Sequence, residues 1–73
     1  MPTEVRAHIT GTVWKIEVAV GDQVEEEDAV VVLESMKMEM PVEAPFAGRV
    51  TAVLVEEGQA VEEGAPLVTL DEG

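Results

Sequence analysis

The chain has 73 residues, with 16 acidic side chains against 4 basic ones, a formal net charge of −12 and no cysteine. That length allows one small domain, since domains commonly run to about 100–150 residues. Without cysteine there is no disulfide or cysteine-ligated metal, and the negative charge disfavours nucleic acid and anionic membrane surfaces as partners. No apolar run approaches the roughly 18 residues that cross a bilayer. The opening Met1-Pro2-Thr3-Glu4-Val5-Arg6 lacks the basic-then-apolar order of a secretory signal. A cytoplasmic protein is expected, and strong like charge favours a monomer.

Apolar residues make up 47% of the chain and include 14 valines and two isoleucines, which suit half-buried strands rather than disorder. A short strand through Val5 opens the chain, and Thr12–Val20 is a second, β-branched one. Gly21-Asp22 reverses the direction, because glycine accepts positive φ without steric cost. A short strand at Val24 and a longer one over Ala29–Leu33 follow. After a central hairpin the pattern returns: Val50–Val55, a reversal at Gly58-Gln59, a short strand at Val61 and a strand over Pro66–Leu70. No stretch holds the helical period over ten or more residues, so the expected fold is all-β, a sandwich or barrel.

The second half echoes the first. Val5–Glu34 aligns with Val42–Asp71 at an offset of 37 residues without a gap, and 11 of the 30 pairs are identical. Gly11 falls on Gly48, Val13 on Val50, Gly21 on Gly58, Val31 on Val68 and Leu33 on Leu70. Two such halves predict a quasi-twofold domain in which neither buries a core alone. Alternation breaks once per half, at Val13, Ile16, Val18 and at Val50, Val53, Val55, which predicts a β-bulge and its twin. Those residues, with Val24, Val31, Leu33, Val61, Val68 and Leu70, form the expected core, and Trp14 covers a barrel edge.

Little here supports catalysis. His8 is the one histidine and Ser35 the one serine. A nucleophilic triad would need them to meet with a carboxylate, and His8 reads more simply as a strand residue. No catalytic residue and no metal site are expected. The acidic residues lie mostly in Glu-Glu runs beside glycines, the pattern of solvated turns.

The segment between the halves is different. Leu33-Glu34-Ser35-Met36-Lys37-Met38-Glu39-Met40-Pro41 reads as a tight hairpin with Met36-Lys37 at its tip. Two-residue hairpin loops favour Asn-Gly, Asp-Gly or Gly-X, since positive φ is required. Met-Lys meets that requirement poorly, which marks a functional constraint. Strand alternation continued through the turn would pack Met36, Met38 and Met40 toward the body and project Lys37, whose amine is a nucleophile once deprotonated.

Glu34-Ser35-Met36-Lys37-Met38 resembles the Glu-Ala/Ser-Met-Lys-Met attachment motif of biotinyl domains, the carrier modules of biotin-dependent carboxylases. Pro45-Phe46-Ala47-Gly48-Arg49-Val50 is similar to the family's Ala/Pro-x-x-Gly-x-Val segment, and Gly21-Asp22-Gln23-Val24 to its Gly-Asp-x-Val turn. The resemblance covers nearly the whole chain, residues 1–73 as one carrier domain with repeat halves 5–34 and 42–71 and attachment hairpin 35–41. It implies a flattened barrel-sandwich of two four-stranded antiparallel sheets. It also implies covalent biotin on Lys37, placed there by a biotin protein ligase that reads Glu34, Ser35, Met36 and Met38. Biotin carboxylase and carboxyltransferase would be the partners, with the flanking methionines mattering more to the carboxylase than to attachment. The gapless repeat leaves no room for the protruding thumb of the bacterial acetyl-CoA carboxylase carrier. The chain resembles the small free-standing biotin/lipoyl attachment proteins, or equally a domain cut from a longer chain. The nearest alternative is a lipoyl domain, whose usual Glu-Thr/Ser-Asp-Lys-Ala differs here at Met36 and Met38. A non-carrier barrel-sandwich module is the other.

Overall fold

Valine-rich segments punctuated by glycine form eight strands in the computed structural model, which describes residues 2–72. They are β1 (Pro2–Arg6), β2 (Gly11–Ile16), β3 (Gln23–Val24), β4 (Ala29–Ser35), β5 (Met38–Glu43), β6 (Gly48–Val53), β7 (Ala60–Val61) and β8 (Pro66–Asp71). One antiparallel sheet has the order β1-β8-β6-β3 and the other β5-β4-β2-β7. The sequence repeat carries β1 to β5, β2 to β6, β3 to β7 and β4 to β8, so each sheet order maps onto the other. Each sheet draws two strands from each half. The halves are interleaved, and neither owns a complete sheet. This is the expected barrel-sandwich with quasi-twofold symmetry.

The predicted bulge and its twin are present. The β2–β4 register shifts between Val13 and Lys15, and the β6–β8 register between Val50 and Ala52. The extra residues are Trp14 and Thr51. Trp14 is 47% exposed, so it stays out of the core as expected, although on an inner strand and not at a sheet edge.

A second twin pair of bulges lies within all-apolar runs and leaves no mark on the sequence pattern. The β4–β5 register skips Val30, and the β1–β8 register skips Leu67. Each extra residue lets two neighbours face inward, so Val30-Val31 and Leu67-Val68 are all fully buried. The Val30 carbonyl accepts from Glu17 N at 3.0 Å and the Leu67 carbonyl from Leu54 N at 2.8 Å. The core therefore gains Val30 and Leu67, together with Val5, Ala7, Val42 and Ala44, while Ile16, Val18 and Val53 are only partly buried against it.

The strand expected over Thr12–Val20 ends at Ile16. Beyond it the chain turns, with Asp22 Oδ2 accepting from Ala19 N at 2.9 Å. Its twin is Gln59 Oε1, which accepts from Glu56 N at 3.1 Å.

Candidate functional site

Strands β4 and β5 form the hairpin that joins the two halves. Their register pairs Leu33 with Met40, Glu34 with Glu39 and Ser35 with Met38, leaving Met36 and Lys37 as a two-residue turn. Both turn residues are left-handed, with φ of 52° at Met36 and 68° at Lys37. Two positive φ values define the primed turn that matches strand twist. The local sequence does not prefer it. The register is set lower down, where Val31, Leu33 and Val42 are buried, and that packing forces Met and Lys into the turn.

The quasi-twofold makes this turn unique. The pair Glu34↔Glu39 corresponds to Pro2↔Asp71 in the other sheet. Pro2 and Asp71 pair across β1 and β8 with no turn joining the two strands directly, whereas β4 and β5 are bridged by Met36-Lys37. The body is elongated, 36 Å long and 18 Å across. The neighbouring strand β2 pairs with β4 only as far as Thr12↔Glu34, so Ser35 and the turn overhang it. Gly11 lies against the hairpin base. A Cβ there would sit 2.6 Å from the Glu34 carbonyl oxygen, and at the twin Gly48 one would sit 2.7 Å from that of Asp71. Both positions need glycine for close approach, not for turning.

At the tip Lys37 is exposed and, among the described residues, makes no hydrogen bond or ion pair. The other lysine, Lys15, lies 3.6 Å from Glu17. Glu34 and Glu39 are exposed and Ser35 is half-buried. The expectation that the methionines pack toward the body is corrected: Met36 is 93% exposed and Met38 63%. On β5 the alternation itself holds, since Met38, Met40 and Val42 run from exposed through half-buried to buried. The inward face continues past the end of the body and finds nothing to pack on. Met36, at positive φ, lies outside strand alternation altogether.

The triad reading fails on geometry. Ser35 stands beside the turn, on the overhanging end of the hairpin, whereas His8 lines an open groove of about 490 Å³ between the edge strands β1 and β5, beside Arg6, Pro41 and Glu43. No hydrogen bond joins Ser35 and His8 among the described residues. What the site offers chemically is one unpaired primary amine, held clear of a rigid body between two apolar thioethers. It suits covalent loading of a carboxylic-acid cofactor through an amide, and the residues present fit biotin.

A quasi-twofold barrel-sandwich that presents an unpaired amine on a tight hairpin has the architecture of a carrier domain. Residues 1–70 match the family model for biotin/lipoyl domains, described as "Biotin-requiring enzyme", and the chain belongs to that family. It is 44% identical over 66 residues to the biotin/lipoyl attachment protein of Bacillus subtilis (strain 168), covering 90% of each chain. It is 44% identical over 64 residues to a biotin carboxyl carrier protein of Streptococcus mutans, covering 88% of this chain and 49% of that one. Among solved structures, a single-chain, multi-domain long-chain acyl-CoA carboxylase superposes with a TM-score of 0.93 at 36% identity, over 99% of this chain and 7% of that chain. The chain thus spans nearly all of a small attachment protein and a small part of a carboxylase.

Proposed function

We propose that Lys37 is the point of biotin attachment and that the domain carries carboxyl groups between a biotin carboxylase and a carboxyltransferase. The observation that carries this reading is the exposed, unpaired Lys37 on a two-residue turn overhanging the body. A biotin protein ligase would supply the cofactor as an activated acyl-adenylate. The neutral Lys37 amine attacks the acyl carbon, an amide forms, and the adenylate leaves as AMP. One cationic amine is lost, so the formal charge becomes one unit more negative than −12. When bound, biotin supplies a ureido nitrogen that accepts and releases a carboxyl group.

The chain's own contribution is presentation. The four-carbon lysine stem lengthens the arm, and the buried register of β4 and β5 fixes its root. Tethering raises the effective concentration of the loaded group at each partner site, by a mechanism that needs no new contact. Met36 and Met38 provide apolar contact on either side of the amine, and Glu34 and Ser35 complete the recognised segment. The isolated chain acts as a monomer, its acidic surface opposing self-association.

The test loads the domain with biotin ligase and supplies biotin carboxylase, ATP and labelled bicarbonate. Label retained on the wild-type protein and absent from Lys37→Arg is expected. Uptake of lipoate under a lipoyl ligase, with no uptake of biotin, would transfer the protein to acyl-group carriage.

A further inference from the structure

Three large apolar side chains of the described structure are more than 60% exposed; one is Val20, beside the Gly21 turn, and the other two are methionines of the hairpin. Met36 at 93% and Met38 at 63% flank Lys37, and Met40 follows, half-buried, on the same strand. The chain has four methionines and no cysteine, so its sulfur chemistry is concentrated at this tip. Thioethers are oxidised in proportion to their accessibility, and the sulfoxide converts a flexible apolar side chain into a polar one.

We propose that Met36 and Met38 are a reversible oxidation site through which a peroxide weakens docking of partner enzymes onto the Lys37 tip. This rests on the carrier reading above. A sulfur lone pair attacks the peroxide O–O bond, which breaks. Sulfur loses two electrons and gains one oxygen, and hydrogen peroxide leaves as water. A methionine sulfoxide reductase reverses the step, two thiols giving up two electrons to form a disulfide and releasing the oxygen as water. Any enzyme that closes over Lys37 must touch these two side chains. Oxidation replaces apolar contact with a strongly hydrated oxygen that has to be desolvated. The core is untouched, because neither sulfur lies in it.

The experiment oxidises the unloaded domain with hydrogen peroxide, since biotin carries a thioether of its own. Peptide mass mapping should show Met36 oxidised first, then Met38, and Met40 last, with the thermal midpoint unchanged. The domain is next loaded exhaustively with biotin and titrated against biotin carboxylase. The half-saturating concentration should rise about tenfold, the order of loss when one interface anchor is removed. Treatment with reductase and a dithiol should restore it. Failure of the oxidised domain to load, where the unoxidised one loads, would be the same loss at the ligase and would support the proposal. Oxidation of Met40 ahead of Met36, or an unchanged half-saturating concentration, overturns it. If the unoxidised, loaded domain accepts no carboxyl group, the carrier reading falls, and the proposal with it.

Discussion

Replacing Met36-Lys37 by Asn-Gly should stabilise the domain while abolishing its loading. Both residues sit at positive φ, 52° and 68°, and a non-glycine residue in the left-handed region costs roughly 1–2 kcal/mol. Asn tolerates that region better and Gly removes the penalty. Little is lost in exchange: Met36 is 93% exposed, and among the described residues Lys37 has no ion partner. Gly returns about 0.5–1 kcal/mol through the greater freedom of the unfolded chain. The net gain is about 1 kcal/mol, which in a domain of this size raises the thermal midpoint by roughly 4–8 °C. Urea denaturation should show a higher midpoint at unchanged slope. Met36→Asn alone should give about half the gain. A double variant no more stable than wild type would refute the claim that the body forces the turn.

Other outcomes follow from the same geometry. Gly11→Ala should cost about 1–3 kcal/mol, because its Cβ would meet the Glu34 carbonyl at 2.6 Å, and Gly48→Ala should cost a similar amount at 2.7 Å from Asp71; only Gly11→Ala, which shifts the hairpin base, should also slow biotin loading in a ligase assay. Glu39→Lys turns the Glu34↔Glu39 cross-strand pair from like to opposite charge, and thermal denaturation should register a gain of about 0.2–1 kcal/mol. Leu33→Ala and Leu70→Ala, twin positions both fully buried, should each cost about 2–5 kcal/mol by urea denaturation. Strongly unequal losses at the two leucines would contradict the quasi-twofold core.

Much of this architecture was legible because the repeat is written twice without a gap. Gly21 and Gly58 both adopt positive φ, as the turn reading required. The bulges at Trp14 and Thr51 showed in the sequence as a step of three between valines or isoleucine. Those at Val30 and Leu67 did not. They lie in the runs Val30-Val31-Val32 and Leu67-Val68, where every residue is apolar and a shift of register leaves no mark on the pattern. The left-handed Glu27, φ 76°, is equally hidden, a non-glycine residue whose repeat partner is Gly64, φ 90°. At the hairpin, the turn and the projection of Lys37 could be read from pattern. The exposure of Met36 and Met38 could not, because alternation tells which face a residue takes and not where the opposing layer stops.

If Lys37 alone accepts the cofactor, replacing it abolishes loading. Intact mass after co-expression with a biotin ligase, for wild type and Lys37→Arg, tests it most directly. Arginine keeps the charge but cannot be acylated in this way. A single biotin adduct on the wild type and none on the variant is expected. A folded wild-type domain that takes up no biotin, or an adduct that survives in Lys37→Arg, would contradict it.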